Sequence, residues 1–76
     1  MGKEIDLLIK MPSSEIWAIE IKHGVAPKLG KHYSQICDDV GATHKYILYG
    51  GDDEFPVSND VTIISLPGLM KRLHAS

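Results

Sequence analysis

Apolar and polar residues alternate along the first part of the chain in a pattern that predicts two β-strands. The first covers residues 4–9 and the second residues 15–22, and each carries charged side chains within an otherwise apolar run. A charged group inside a sheet is costly unless a partner satisfies it. The intervening Pro12-Ser13-Ser14 is typical of a tight turn, because proline fits the second position of a type I turn. We therefore expect an antiparallel hairpin.

The rest of the chain predicts two helices and two further strands. Apolar residues at three- and four-residue steps, among them Tyr33 and Val40, indicate a helix from Pro27 or Lys28 to Val40, with Gly41 as its stop. The other expected elements are strands over residues 45–49 and 61–64 and a closing helix over residues 66–74. Ser65 is expected to cap this helix, and its inward-facing residues are expected to be Leu66, Leu69, Met70 and Leu73. The order β-β-α-β-β-α predicts an α/β (α+β) domain with a mixed four-stranded sheet. In that sheet the second and third strands are parallel, and the other neighbours are expected to be antiparallel.

The length of the turn decides which charged side chains share a face of the sheet. With a three-residue loop, Met11 pairs with Glu15 and Asp6 pairs with Glu20, so both carboxylates lie on the same side. A two-residue turn would shift the register by one and separate Asp6 from Glu20. We favour the three-residue loop, in which Ser14 takes a left-handed conformation that glycine or asparagine adopts more readily.

Two carboxylates and a lysine brought together in this register suggest metal-dependent cleavage of phosphodiesters. Mg²⁺ prefers oxygen ligands and is usually held by one or two carboxylates together with water. Asp6 and Glu20 are the expected ligands, and the main-chain carbonyl of Ile21 is a further oxygen donor. Lys22 points to the same side and would orient the attacking water or stabilise developing charge. The alternative is structural: Glu20 and Lys22 pair with each other or with Glu4 at a sheet edge or a subunit contact.

These two segments resemble the PD-(D/E)XK nuclease superfamily, which has a restriction-endonuclease-like fold. More narrowly, residues 4–9 and 16–22 resemble the nuclease-like C-terminal domain attached to many prokaryotic AAA-type ATPases of unknown function. In this resemblance Asp6 occupies the first acidic position, and Glu20 and Lys22 occupy the E-x-K positions. The resemblance implies descent from nucleases that act on DNA with Mg²⁺ or Mn²⁺, and an ATPase as a partner.

The family resemblance adds supporting site residues and one departure. Several branches of the superfamily place a glutamine or lysine on the helix after the motif, where Gln35 and Lys31 stand here; the alternative is a solvated helix face. Glu4 is a further supporting candidate. The family fold normally begins with a helix and a strand before the motif strand, which here starts within a few residues of Met1. We therefore expect a minimal, truncated version of the fold, a gene remnant or an excised fragment.

Size and charge restrict the function classes. With 76 residues, of which 43% are hydrophobic and 24% charged, the chain is expected to form one small domain over residues 1–76. A net charge of -2 and a pI near 6.0 are not those of a strong nucleic-acid binder. No apolar run reaches membrane-spanning length, and the single Cys37 cannot form an internal disulfide, so a cytoplasmic location is expected. Cys37 falls on the apolar side of the first helix and is predicted to be a core residue.

Two functions from different classes fit these observations. The first is a metal-dependent nuclease-like domain that hydrolyses DNA phosphodiester bonds. The second is a non-catalytic dimerisation or accessory module that retains the fold and descends from an ATPase-associated protein. Because the first helix covers one face of the sheet and the other face is short of cover, we also expect a homodimer that completes the core or extends the sheet.

Overall fold

A computed structural model gives the fold and describes residues 5–24, 32–57 and 60–75. Within these ranges the chain is mixed α/β, as predicted. Two proposed site residues, Glu4 and Lys31, and the expected start of the first helix lie outside the described residues. In chain order the elements are β1 (Leu7–Lys10), β2 (Ile16–Ile21), α1 (Tyr33–Asp39), β3 (His44–Leu48), β4 (Glu54–Pro56), β5 (Val61–Ile64) and α2 (Leu66–Ala75).

The sheet has five strands in the order β1-β2-β3-β5-β4 rather than the four predicted. β1 is antiparallel to β2, and β2 is parallel to β3, as expected. The prediction that the strand over residues 61–64 is antiparallel to its neighbour is wrong for its pairing with β3, because β5 runs parallel to β3. After β3 the chain forms β4 at the outer edge of the sheet, and β5 then lies between β3 and β4. Because β5 is antiparallel to β4, it runs in the same direction as β3. β4 is absent from the predicted elements because it is short and ends at Pro56. Proline within a run of residues argues against a strand.

The β1–β2 hairpin has the predicted three-residue loop. Its ladder places Leu7 opposite Ile19, and at the other end the N–H of Met11 donates to the carbonyl of Glu15 at 2.8 Å. The N–H of Ser14 returns to the carbonyl of Met11 at 3.0 Å, and Ser14 has a left-handed φ of 77°. The three-residue loop, the register from Leu7 to Met11 and the conformation expected of Ser14 are therefore confirmed, whereas the predicted pairing of Asp6 with Glu20 lies outside the ladder.

Sequence signals for the helix ends are also confirmed. α1 is followed by Gly41 at φ 78°, and the N–H groups of Gly41 and Ala42 donate to carbonyl oxygens of the last helical turn at 3.0 and 2.9 Å. This pair of bonds is the Schellman motif, which favours glycine at the left-handed position. At the start of α2 the Oγ of Ser65 accepts the N–H of Gly68 at 3.2 Å, as an N-cap residue does.

Two apolar clusters, one on each face of the sheet, hold the helices. The cluster against α1 contains Ala18, Tyr33, Cys37, Ile47, Tyr49, Val61 and Ile63. The cluster against α2 contains Trp17, Ile19, Tyr46, Ile64 and Leu69. Cys37 is fully buried, as predicted, and burial raises the pKa of its thiol. Neither helix in the described part of the chain is long and apolar enough to cross a membrane.

Three apolar residues expected to face inward are exposed. Val40 follows the last residue of α1, so its side chain leaves the apolar stripe of that helix. Leu66 and Met70 lie on one flank of α2, while Leu69 between them points into the core. The inward face of α2 is consequently narrower than its apolar spacing indicates.

Tyr33 ties α1 to the centre of the sheet. Its ring is fully buried, and its hydroxyl oxygen lies 2.7 Å from the carbonyl oxygen of Tyr46 and 3.1 Å from that of Ala18. A hydroxyl has one proton to donate, so one donor serves main-chain groups of the adjacent strands β2 and β3. Burial is the main reason that the pKa of Tyr33 lies far above its ordinary value of 10.0.

We expect Tyr33→Phe to lower the free energy of unfolding by about 1–3 kcal/mol at pH 7, because the two carbonyl groups lose their hydroxyl donor. Above pH 10.0 the parent protein should lose further stability as the pH rises, since this tyrosine ionises near that value only when the chain is unfolded. The loss should approach about 1.4 kcal/mol per pH unit and should be absent from the variant. Urea unfolding at pH 7, 10 and 11 measures both effects. Identical slopes against pH in the two proteins would contradict this role.

Candidate metal centre

Glu20 is the buried carboxylate of the site. It lies in β2 on the face covered by α1, and only 6% of the residue is exposed. Its Oε2 lies 3.1 Å from the Nζ of Lys22, whereas its Oε1 is buried and has no hydrogen-bond partner in the described part of the chain. A buried polar atom without a partner costs about 1–3 kcal/mol, and more when it is charged. A cation or a water molecule bound at Oε1 would remove this cost.

Lys22 follows directly after β2 and turns its ammonium group back towards Glu20. Its N–H donates to the carbonyl of Leu48 at 2.8 Å, which extends the pairing of β2 with β3 by one step. About a third of its side chain (35%) is exposed, so the ammonium group can contact both Glu20 and a ligand from solvent. The salt bridge that the structural alternative expected is thus present, but it uses only one of the two oxygens of Glu20.

A close contact between two loops anchors the chain beyond Lys22. The N–H of Gly50 donates to the carbonyl of Gly24 at 2.7 Å, and a Cβ atom at position 50 would lie 2.9 Å from that oxygen. Gly24 has a φ of 92°, which side chains other than glycine rarely allow. Main-chain contact between glycines therefore holds the end of the site in place.

Asp6 lies one step beyond the β1–β2 ladder. The ladder ends with Leu7 opposite Ile19, so the predicted pairing of Asp6 with Glu20 is not part of it. The N–H of Asp6 donates to the carbonyl of Ile19 at 3.0 Å, and its Oδ2 accepts the N–H of Ile21 at 2.8 Å. Oδ2 of Asp6 therefore takes the place of a main-chain acceptor for Ile21, and no hydrogen bond joins Oδ1 to another of the described residues.

Tyr33 senses the charge of both carboxylates. After burial and the neighbouring Cys37, the negative charges of Glu20 and then Asp6 are the further causes that raise the pKa of Tyr33. Both carboxylates thus contribute to the electrostatic environment of one hydroxyl group that is fixed under α1. The apolar stripe predicts Tyr33 in the core, which is correct, but it carries no signal of the hydrogen bonds that the hydroxyl makes with main-chain carbonyl groups.

The arrangement offers oxygen ligands on two adjacent strands. The available atoms are Oδ1 of Asp6, Oε1 of Glu20 and the main-chain carbonyl of Ile21, with the ammonium group of Lys22 beside them. Across residues 5–24, 32–57 and 60–75 there is no group of three or more His, Cys, Asp or Glu side chains that could hold a metal ion. A cation here would therefore rely on two carboxylates, main-chain oxygen and water, a ligand set that suits Mg²⁺.

The structure brings together some of the predicted site residues and not others. Asp6, Glu20, Ile21 and Lys22 lie in one region at the ends of β1 and β2. Gln35 is exposed on α1, and none of the described contacts joins it to this region. Its predicted role in substrate binding stays a prediction.

Replacing Asp6 in two ways separates its hydrogen bond from its charge. Asp6→Asn keeps a carbonyl oxygen that can accept the N–H of Ile21, so the free energy of unfolding should stay within about 0.5 kcal/mol of the parent value. Asp6→Ala removes the acceptor and should cost about 1 kcal/mol. Chemical unfolding in metal-free buffer measures both values. Equal stability of the alanine and asparagine variants would contradict the anchoring role of Oδ2.

Comparison with known proteins identifies a family for the chain. No curated protein and no solved structure matched the chain. A family model does match, and this domain usually occurs in AAA-ATPase-associated proteins, which agrees with that part of the sequence resemblance; it identifies no nuclease family. Because the match covers residues 1–69, the chain belongs to the family described as domain of unknown function (DUF4143).

Proposed function

We propose that this chain is a metal-dependent nuclease-like domain that hydrolyses DNA phosphodiester bonds. The observation that carries the proposal is the buried Oε1 of Glu20, which has no partner among the described residues although the other oxygen of the same carboxylate is paired. Natural proteins rarely leave such an atom unsatisfied, and a bound ion is one of the common explanations. A purely structural salt bridge would not need the second oxygen to be buried.

Each residue of the site has a separate role in this proposal. Glu20 and Asp6 bind the cation through Oε1 and Oδ1, and the carbonyl of Ile21 supplies a third oxygen. When bound, Mg²⁺ or Mn²⁺ neutralises phosphate charge and makes a coordinated water more acidic. Lys22 holds its ammonium group where negative charge develops on the phosphate, and it can do so because part of its side chain reaches solvent.

The substrate assignment rests on the same chemistry and on the family. Hard oxygen ligands beside an ammonium group suit a phosphate ester. DNA is the proposed substrate because the sequence resembles DNA nucleases, and an ATPase partner would supply affinity that a chain of net charge -2 lacks. Gln35, Glu4 and Lys31 are proposed to support substrate binding.

A non-catalytic accessory module is the second candidate, and one observation favours it. Lys22 already forms a salt bridge with Oε2 of Glu20, and Oδ2 of Asp6 already accepts a hydrogen bond from the N–H of Ile21. Both groups thus have structural partners without any ligand. In this case the domain would retain the fold for assembly with an ATPase-associated protein.

Calorimetric titration with Mg²⁺ and Mn²⁺ separates the two candidates. The parent protein should bind at least one ion in the millimolar range or tighter, and Glu20→Gln should weaken binding at least about tenfold because a neutral amide is a poorer ligand. Glu15→Gln is the matched control, since the carboxylate of Glu15 accepts the indole N–H of Trp17 instead, and it should bind as the parent does. No binding by the parent at about 10 mM of either ion would leave only the accessory module.

Cleavage assays on plasmid, linear and branched DNA test the reaction itself. Lys22→Met should lower the cleavage rate about a hundredfold, because a charge stabilising the transition state is lost, while metal affinity should not fall, because a positive charge beside Glu20 is removed. Lys71→Met changes an exposed lysine on α2 and should cleave at the parent rate. Cleavage that survives Lys22→Met unchanged would refute the role of Lys22. Metal binding without cleavage of any of these DNAs would refute the nuclease proposal.

A further inference from the structure

Within the described part of the chain, β1 is an edge strand with no further strand on its outer side. It is the first strand in the sheet order and pairs only with β2 in the described part of the chain. Leu7 and Leu8, on opposite faces of the strand, are 48% and 41% exposed. Edge strands in soluble proteins are usually protected by charge, proline or short length. The other edge, β4, has these protections, because it is three residues long, contains Pro56 and begins at Glu54, which is paired with Arg72.

The direction of the main-chain groups of β1 follows from the hairpin. The N–H of Met11 donates towards β2, and the main-chain groups of alternate residues in a strand point to opposite sides. The N–H and C=O groups of Lys10 and Leu8 therefore point away from β2. This agrees with Ile16, which lies opposite Lys10 and directs its own main-chain groups to Thr43 on the far side of β2.

We propose that β1 pairs with β1 of a second copy of this chain in an antiparallel, two-fold arrangement centred on Leu8. This register places Leu8 opposite the partner's Leu8, Leu7 opposite the partner's Ile9, and Asp6 opposite the partner's Lys10. The N–H groups of Leu8 and Lys10 then donate to the partner's Leu8 and the partner's Asp6, and the two-fold axis repeats both bonds. The N–H of Asp6, which is already bonded to Ile19, is not needed.

Charge complementarity favours a second copy over other occupants of this edge. The short sequence Asp6-Leu7-Leu8-Ile9-Lys10 is acidic at one end, basic at the other and apolar between. Antiparallel pairing with itself therefore places opposite charges together twice and apolar residues together in the middle, which stabilises adjacent strands. The product is a continuous ten-stranded sheet with both α1 helices on one face, formed by joining two five-stranded sheets.

The pairing depends only on the edge of the sheet and not on the proposed metal chemistry. It would nevertheless place the ammonium group of the partner's Lys10 near Asp6, so each copy would complete the surroundings of the other's site. Failure of metal binding would leave the dimer unaffected, and failure of the dimer would leave metal binding to be measured on the monomer.

Sedimentation equilibrium from 1 to 100 µM (concentrations of the order at which weak homodimers form) tests the proposal. The parent should behave as a dimer, and Leu8→Lys should dissociate at least about tenfold more readily because two like charges meet on the two-fold axis. Lys10→Glu should weaken the dimer similarly by opposing Asp6 with a like charge. Leu66→Lys is the matched control, an exposed leucine on α2, and should remain dimeric. Circular dichroism confirms that each variant is folded.

Two results would overturn the proposal. One is a folded parent protein that is monomeric at 100 µM. The other is a dimer that survives Leu8→Lys but dissociates in Leu66→Lys, because it would place the interface on α2. The register has its own test: Leu8→Cys should form a covalent dimer rapidly with a short bismaleimide, and Leu66→Cys should not. Cys37 is fully buried and does not interfere.

Discussion

The three-residue loop between β1 and β2 is the constraint on which the site depends. Side chains alternate along a strand, so a loop one residue shorter would shift the pairing of β1 with β2 by one residue and turn Asp6 to the other face of the sheet. Ser14 adopts a left-handed conformation to complete the loop, at a cost of about 1–2 kcal/mol for a residue with a side chain. That cost is tolerated because the ladder from Leu7 to Met11 holds the register.

A buried acidic residue is a considerable burden for a domain of this size. A chain of 76 residues buries a modest fraction of its surface, so its net stability is small and one unsatisfied charged atom matters. The fold accommodates Glu20 by placing Lys22 beside one oxygen and by fixing the surrounding main chain through Tyr33 and the contact of Gly24 with Gly50. A buried carboxylate with an unsatisfied oxygen, held by the surrounding main chain, is more typical of a functional site than of a hydrophobic core.

Local patterns in the sequence predict local structure well here. The hairpin register, the left-handed Ser14, the stop at Gly41 and the cap at Ser65 each follow from a few neighbouring residues, and all are confirmed. The pairing of β5 with β3 could not be predicted in this way, because it depends on β4 occupying the sheet edge. A strand of three residues has too little pattern to reveal itself.

The candidate site shows the same division between local and non-local information. From the sequence alone, the three-residue loop predicts that Asp6 lies near Glu20. The two-residue spacing predicts that Glu20 and Lys22 point to the same side, where they form a salt bridge. The hydrogen bond from Ile21 to Asp6 and the position of the Tyr33 hydroxyl depend on how the strand ends and the helix pack. Periodicity of apolar residues describes which face is buried, but it does not describe where the polar atoms of those faces point.

Asp6 performs two tasks with one side chain, since it terminates the strand pairing of the hairpin and borders the buried acid. Anything that pulls its carboxylate towards a ligand competes with the N–H of Ile21. If the proposed ligand binds there, fraying at the beginning of β1 and occupancy of the site must influence each other to the same extent, by thermodynamic reciprocity. The order of the first strand and the affinity of the proposed site would then be two measures of a single equilibrium.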